Sequence, residues 1–160
     1  MVRSALMRSR NTQRGDIRLT VLGTLTHRDV VLRAISAACK LVTPTPFGPE
    51  WNDFQQQVVS AVSEAFNNLV LHGYAGRGDG RVDVQIHTGP GEIHIELRDW
   101  GRGFNPKAVP MPDLDSLPES GLGLFIMRSF MGVSYRRGRP NLLKMTKKMP
   151  ERPASPAAID

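Results

Sequence analysis

Cysteine and long apolar runs are nearly absent from this sequence. A single cysteine, Cys39, occurs among 160 residues, which excludes an internal disulfide. It lies in the apolar stretch 30–42, so we expect a buried helix residue of a protein in a reducing compartment. No apolar run approaches the roughly 18 to 20 residues that a membrane span needs, so we expect a protein that is not integral to a membrane.

The two ends of the chain differ in composition from its middle. Residues 1–15 are basic and lack the apolar core of a signal peptide, so we expect a flexible extension, no secretion and a cytoplasmic protein. Residues 150–160 are rich in proline and alanine, which indicates a disordered tail. Residues 16–149 then form one domain of ordinary size, and a hydrophobic content of 40% suffices for a globular core.

Negative charge is in the minority, since 15 acidic residues face 21 basic ones and the net charge is +6. The basic side chains concentrate near the two ends, in Arg3, Arg8, Arg10, Arg14 and Arg18 and again in Arg136, Arg137, Arg139, Lys144, Lys147 and Lys148. Because these clusters lack interleaved aromatic residues and any nucleic-acid-binding motif, we expect no direct nucleic-acid contact. An acidic protein partner is the preferred interpretation, with electrostatic steering accelerating the encounter.

A polar stripe follows one predicted helix. Residues 54–72 contain no glycine or proline, and their apolar side chains recur at helical spacing. Glu64, Asn68 and His72 are spaced by four residues, an advance of about 400° at ~100° per residue, so they share one face. Asn68 can offer a neutral oxygen to Mg2+, and Glu64 can accept a proton from a hydroxyl or a water.

A solvated polar face of an amphipathic helix explains the same spacing, and this alternative stays open. For His72 we favour a structural tie between the helix end and a neighbouring loop over a catalytic imidazole.

A predicted β-hairpin ends in a second polar cluster. Residues 81–87 and 92–98 alternate apolar and polar side chains on either side of a Gly-Pro-Gly turn. Asp99 is in phase with the apolar side chains of the second strand, at the mouth of the sheet. A carboxylate there can accept a hydrogen bond from the exocyclic amine of adenine, while Gly101 and Gly103 let the backbone turn and the base approach. An ordinary strand-end turn uses the same residue types and remains the alternative.

A third cluster opens another predicted helix. Gly121 and Gly123 directly precede an apolar segment with side chains at helical positions. Backbone N–H groups at a helix start, together with the helix dipole, attract phosphate. A plain capped helix with Ser120 near its start is the alternative. The sequence lacks both the P-loop pattern and a G-x-G-x-x-G after the first strand, which excludes the two best-known glycine loops.

The order of the predicted elements favours an α/β fold built as a two-layer sandwich. Residues 16–22 are predicted as the first strand, 26–42 as a helix and 43–49 as a rigid linker. Two last strands follow the third cluster and are joined around residues 138–140. This alternation of helices and strands predicts a mixed, mostly antiparallel sheet with one face covered by helices.

Taken in order, the three clusters resemble the motifs of the Bergerat-fold (GHKL) ATPases. This superfamily includes gyrase-type topoisomerases, the heat-shock chaperone ATPase, sensor histidine kinases and the MutL mismatch-repair proteins. Residues 63–74, which contain Glu64, Asn68 and His72 followed by Gly-Tyr, look most similar to the anti-sigma-factor serine kinases of bacteria. The likeness covers residues 16–149, and it implies that this span is an ATP-binding kinase domain.

The resemblance implies a role for each site residue. Glu64 would be the general base and Asn68 the Mg2+ ligand, with ATP and Mg2+ as the cofactors. The residues implied in ATP binding are Asn68, Asp99, Gly101, Gly103, Gly121, Leu122, Gly123 and Leu124. The intervening segment 105–119 would be a small or loosely closing lid, with no basic residue after Lys107.

The resemblance also implies an activity and partners. The chain would be a serine/threonine-protein kinase acting as an anti-sigma factor, a homodimer that holds a sigma factor and phosphorylates a serine of a small STAS-type antagonist. Two other classes stay open, because fold alone does not separate them. One is a regulatory module that sequesters a partner without phosphotransfer, with or without ATP as a ligand. The other is the catalytic part of a split histidine kinase.

Overall fold

The secondary structure follows the predicted order closely. The structure, a computed structural model, describes residues 15–45, 47–103 and 121–152. In these ranges the elements are β1 (Gly15–Leu22), α1 (Leu25–Val42), α2 (Pro49–Asn68), a π-helical turn (Leu69–Gly73), β2 (Arg81–Gly89), β3 (Glu92–Asp99), α3 (Leu122–Phe130), β4 (Gly132–Arg136) and β5 (Asn141–Lys148). No helix within the described ranges is long and apolar enough to cross a membrane.

The five strands form one sheet in the order β1-β2-β3-β5-β4. All four pairings between the described strands are antiparallel, so the parallel pairs that a mixed sheet would need are not formed there. The reason is that β2–β3 and β4–β5 are joined by short connections, which suit antiparallel neighbours. The predicted two-layer α/β sandwich is confirmed, and the mixed character of the sheet is corrected.

Buried and half-buried side chains alternate along the central strands, which places the core on one face of this sheet. In β3, Ile93, Ile95 and Leu97 are fully buried, whereas the residues between them are half-buried on the outer face. The buried sheet residues form one cluster with the apolar faces of the helices. Cys39 belongs to that cluster, and burial raises the pKa of its thiol to about 12. The expected buried helix cysteine is therefore confirmed.

The ends of the helices differ from the predicted ones for local reasons. Thr24 precedes α1, and its hydroxyl accepts a hydrogen bond from the backbone N–H of His27 at 3.2 Å. Helix α2 begins at Pro49, earlier than predicted. A proline is tolerated in the first turn because backbone N–H groups there have no hydrogen-bond partner within the helix. The α-helix ends at Asn68, and the turn that carries His72 is π-helical. Such wider turns occur frequently at functional sites.

Tyr74 fixes the loops at one end of the sheet. It is 3% exposed, and its hydroxyl donates a hydrogen bond to the carbonyl of Arg81 and accepts one from the N–H of Trp100 at 2.9 Å. Burial raises the pKa of this hydroxyl, which keeps its proton in place for donation. A Cβ at Gly23 would lie 2.7 Å from the tyrosine ring, and one at Gly101 would lie 3.1 Å from it. The ring therefore packs where these two glycines leave room.

We predict that Tyr74→Phe destabilises the fold by about 1 to 3 kcal/mol, because the phenyl ring fills the same space but removes the hydrogen bonds to the partly buried Arg81 carbonyl and Trp100 N–H. Chemical denaturation followed by circular dichroism measures the free energy of unfolding. A loss below about 0.5 kcal/mol, the range of ordinary surface substitutions, would contradict this role.

Candidate functional site

Asp99 lies at the end of β3 with its carboxylate on the helix-covered side of the sheet. It is 6% exposed, and its Oδ1 atom accepts hydrogen bonds from the Gly101 N–H at 2.9 Å and from the Asn141 side-chain amide at 3.0 Å. A Cβ at Gly73 would lie 3.8 Å from the same oxygen. The carboxylate is thus held in a fixed orientation between the sheet and the end of the π-helical turn.

Asn141 is a site residue to which the sequence analysis assigned no role. It is 1% exposed and pairs with Asp99 across β3 and β5. Its amide nitrogen also donates to the carbonyl of Gly101 at 3.1 Å, and its oxygen accepts from the N–H of Gly138 at 3.1 Å. One side chain therefore ties Asp99 to the loop after β3 and to the turn between β4 and β5. This role of Asn141 follows from the register between two strands that are about 40 residues apart in the sequence, so no local pattern reveals it.

The two glycines after Asp99 are required by close approach and by backbone geometry. A Cβ at Gly101 would overlap the carbonyl of Gly73, whose carbon would be 2.8 Å away. Gly103 has a φ of +81°, and a Cβ there would lie 3.2 Å from the Asn141 oxygen. At these two positions the protein itself leaves no room for a side chain.

The second end of the candidate site is the start of α3. Gly121 precedes the helix with a φ of +90°, and within residues 15–45, 47–103 and 121–152 no side chain caps the helix. The Glu64 carboxylate lies directly against Gly123 in the first turn, so that a Cβ at this glycine would be 3.0 Å from Glu64 Cδ and closer still to Oε2. The structure therefore brings Glu64 and Gly123 together at a helix N-terminus, where N–H groups and the helix dipole favour anions.

Asn68 lies one helical turn beyond Glu64, as the last residue of α2. The side chain is half-buried, and its Nδ2 atom is buried without a hydrogen-bond partner in the described part of the chain. Buried amide groups are normally paired, so this one is suited to a bound group. The oxygen and nitrogen of an amide exchange places by a rotation of 180°, so the same position can present an oxygen.

The remaining predicted residues contribute differently. Leu122 is 49% exposed, whereas Leu124 is 3% exposed and belongs to the hydrophobic core. Any contact of Leu124 with a phosphate would therefore come from its backbone. His72 is exposed, and its carbonyl accepts a hydrogen bond from the Arg102 side chain at 3.4 Å. The predicted lid, residues 105–119, lies outside the described residues.

Helix α2 and its π-helical turn connect the two ends of the site. From Glu64 to Gly73 they span nine residue steps, about 13 Å at the α-helical rise. One end presents a buried carboxylate to a flat donor such as an amine-bearing base. The other presents helix N–H groups, a carboxamide and a carboxylate to phosphates.

Comparison with known proteins agrees with this geometry. A protein-family model described as a histidine kinase-like ATPase domain matches residues 26–147. The chain belongs to this family. This confirms the membership inferred from the three clusters, which begin at Glu64, Asp99 and Gly121.

Similar proteins include bacterial anti-sigma factors. An anti-sigma F factor of Clostridium botulinum (strain Eklund 17B) is 33% identical over 101 residues, which cover 57% of this chain and 68% of that protein. The anti-sigma F factor of Clostridium beijerinckii is 35% identical over 101 residues with the same coverage. The blue-light activated histidine kinase of Erythrobacter litoralis EL346 has a similar fold, with a TM-score of 0.50 and 18% identity over 75% of this chain and 41% of that one.

We predict that Gly101→Ala impairs the site by forcing apart two backbone segments. The new methyl group would meet the Gly73 carbonyl, so we expect a destabilisation of about 1 to 3 kcal/mol and weaker nucleotide binding. Gly89→Ala is the matched control, because its nearest neighbour, a side-chain atom of His87, would be at an ordinary 3.5 Å. Denaturation and nucleotide titration measure both variants, and equal behaviour of the two would contradict the close approach.

Proposed function

We propose that this protein is an anti-sigma factor with serine/threonine-protein kinase activity, which uses ATP to phosphorylate a serine of a small antagonist protein. The single observation that carries this proposal is the Glu64 carboxylate at the glycine start of α3, one turn from Asn68. A proton acceptor and an anion-binding helix start are placed side by side there. Similarity to anti-sigma F factors supports the same conclusion.

ATP would lie along α2 with its base at Asp99 and its phosphates at α3. The Asp99 carboxylate would accept a hydrogen bond from the adenine amine, and Gly101 and Gly103 would leave room for the base. The phosphates would be bound by N–H groups at the start of α3, from Gly121 to Leu124. No side chain in the described part of the chain caps this helix start, so its N–H groups are suited to an anion.

The residues present fit a magnesium ion held jointly with the phosphates. Among the described residues no three histidine, cysteine, aspartate or glutamate side chains form a metal-binding group, so Asn68 would be the protein ligand and phosphate oxygens would supply others. The buried and unpartnered amide of Asn68 is consistent with that role. When bound, Mg2+ would neutralise charge on the phosphates.

Glu64 would act as the general base of phosphotransfer. The hydroxyl oxygen of the antagonist's serine would attack the γ-phosphorus, the bond to the oxygen of the leaving ADP would break, and the hydroxyl proton would pass to a Glu64 carboxylate oxygen. The contact with Gly123 keeps this carboxylate at the start of α3, where the phosphates would lie. General-base catalysis by a positioned carboxylate accelerates such a step about 10²- to 10⁴-fold.

The partners proposed are a sigma factor and a small STAS-type antagonist, with the kinase acting as a cytoplasmic homodimer. Phosphorylation would release the antagonist and leave the kinase free to hold the sigma factor. The second candidate is a module that sequesters a partner without phosphotransfer. The half-buried, solvent-accessible position of Glu64 is also compatible with a glutamate that has no catalytic role. Incubation of the purified protein with ATP, Mg2+ and its cognate antagonist distinguishes them, since only the kinase yields phosphoserine.

We predict that Glu64→Gln lowers the rate of antagonist phosphorylation at least about 100-fold, because the amide cannot accept the hydroxyl proton. ATP binding should change little, since the amide keeps the shape of the side chain. Glu50→Gln is the matched control, an exposed glutamate in the first turn of the same helix. Full activity of the Glu64 variant in a phosphoserine assay would reject Glu64 as the base.

A further inference from the structure

A cavity beside the candidate site lies where three loops meet at one end of the sheet. Its volume is about 350 Å³, and its walls include Arg77, Trp100, Arg102, Arg137 and Arg139. The arginines come from three separate parts of the chain, namely the segment after the π-helical turn, the loop after β3 and the turn between β4 and β5. Tertiary folding thus concentrates four guanidinium groups around one concavity.

These positive charges are little compensated by the protein. Among the described residues, one carboxylate lies within 4 Å of these four guanidinium groups. It belongs to Asp79 and is 3.9 Å from Arg77 Nε. Both side chains of this pair are more than half exposed, and exposed ion pairs contribute little. Arg102 donates to the carbonyl of His72 at 3.4 Å, which leaves its charge in place. Among the described residues, Asp79 is therefore a weak counter-charge at the edge of a cavity that carries four guanidinium groups.

The size and the donors of the cavity define the class of its ligand. Its volume is within the range of small-ligand pockets, about 300 to 1,000 Å³. Guanidinium groups present paired N–H donors that match carboxylate and phosphate oxygens. Trp100 adds an indole wall, and the Arg81 guanidinium lies over its ring at 5.0 Å from the centroid. One or two anionic side chains with short stems fill such a space.

The surroundings of the cavity favour a peptide over a nucleic acid. A nucleic-acid backbone needs an extended positive track. On the adjacent outer face of the sheet, basic residues are instead paired with carboxylates, Arg81 with Asp83 at 2.7 Å and Lys144 with Glu96 at 3.1 Å. The hydrogen bond from the Arg81 guanidinium lowers the pKa of Asp83, which keeps this carboxylate negative on the outer face of the sheet. Part of the positive charge on this adjacent face is thus compensated by carboxylates, whereas the arginines of the cavity are little compensated.

We propose that this arginine pocket binds the acidic side chains of a protein partner. Glutamate or aspartate residues of an exposed partner segment would enter the cavity and pair with Arg77 and Arg137 on opposite loops. The pocket adjoins the candidate nucleotide site, because Gly101 and Asn141 line it and also donate hydrogen bonds to Asp99. This inference goes beyond the proposed kinase function and does not depend on phosphotransfer.

The test is the binding of a fluorescein-labelled hexaglutamate peptide to the full chain without nucleotide, followed by fluorescence anisotropy at low ionic strength. Hexaglutamine is the uncharged control peptide and should not bind. The double variant Arg77→Ala/Arg137→Ala should weaken hexaglutamate binding at least about tenfold, since each of the two substitutions removes a charge-assisted contact with the peptide. The single variants should each weaken it by about threefold, which keeps the test decisive if the double variant folds poorly.

The matched control is Arg18→Ala/Arg33→Ala, which removes the same charge from exposed positions of β1 and α1. This variant should change the affinity less than about twofold. Equal weakening by both double variants would overturn the pocket and leave a general effect of net charge. Tighter binding of a single-stranded oligothymidylate, with the same dependence on Arg77 and Arg137, would also overturn the proposal, because the pocket would then select nucleic acid.

Discussion

The buried carboxylate of Asp99 is the constraint on which the candidate site depends. Burying such a group is costly unless hydrogen bonds compensate it, and here the N–H of Gly101 and the amide of Asn141 do so. This requirement fixes the loop after β3 and the start of β5 around one oxygen atom. Gly101 must lack a side chain because the loop packs on the Gly73 carbonyl. A polar group at a sheet end thus organises three segments of the chain.

The same arrangement links the two ends of the site through α2. Its continuation into the π-helical turn brings Gly73 to Asp99, while Glu64 lies against Gly123 at the start of α3. Tyr74 then locks the turn onto the loops by hydrogen bonds to two backbone groups. The positions proposed for a base and for phosphates are consequently joined by one continuous helical segment, which would pre-organise the site for a nucleotide.

The parts of the site that depend on local patterns could be predicted from the sequence. The alternation in β3 placed Asp99 on the buried face, and the glycine pair placed the start of α3. Asn141 was assigned no role because its contact requires the register between β3 and β5, which no local pattern encodes. The π-helical turn after Asn68 was also missed, since apolar spacing of three and four residues continues through it. Long-range packing, rather than propensity, decides both features.

The central claim is that Asp99 selects adenine at the buried end of this site. Isothermal titration calorimetry with ATP and GTP, both with Mg2+, tests it most directly, because guanine presents a carbonyl oxygen where adenine presents an amine. We expect saturable heat with ATP, binding of GTP at least about 100-fold weaker, and a comparable loss of ATP binding in Asp99→Asn. Equal affinity for ATP and GTP, or unchanged ATP binding in the variant, would contradict the account.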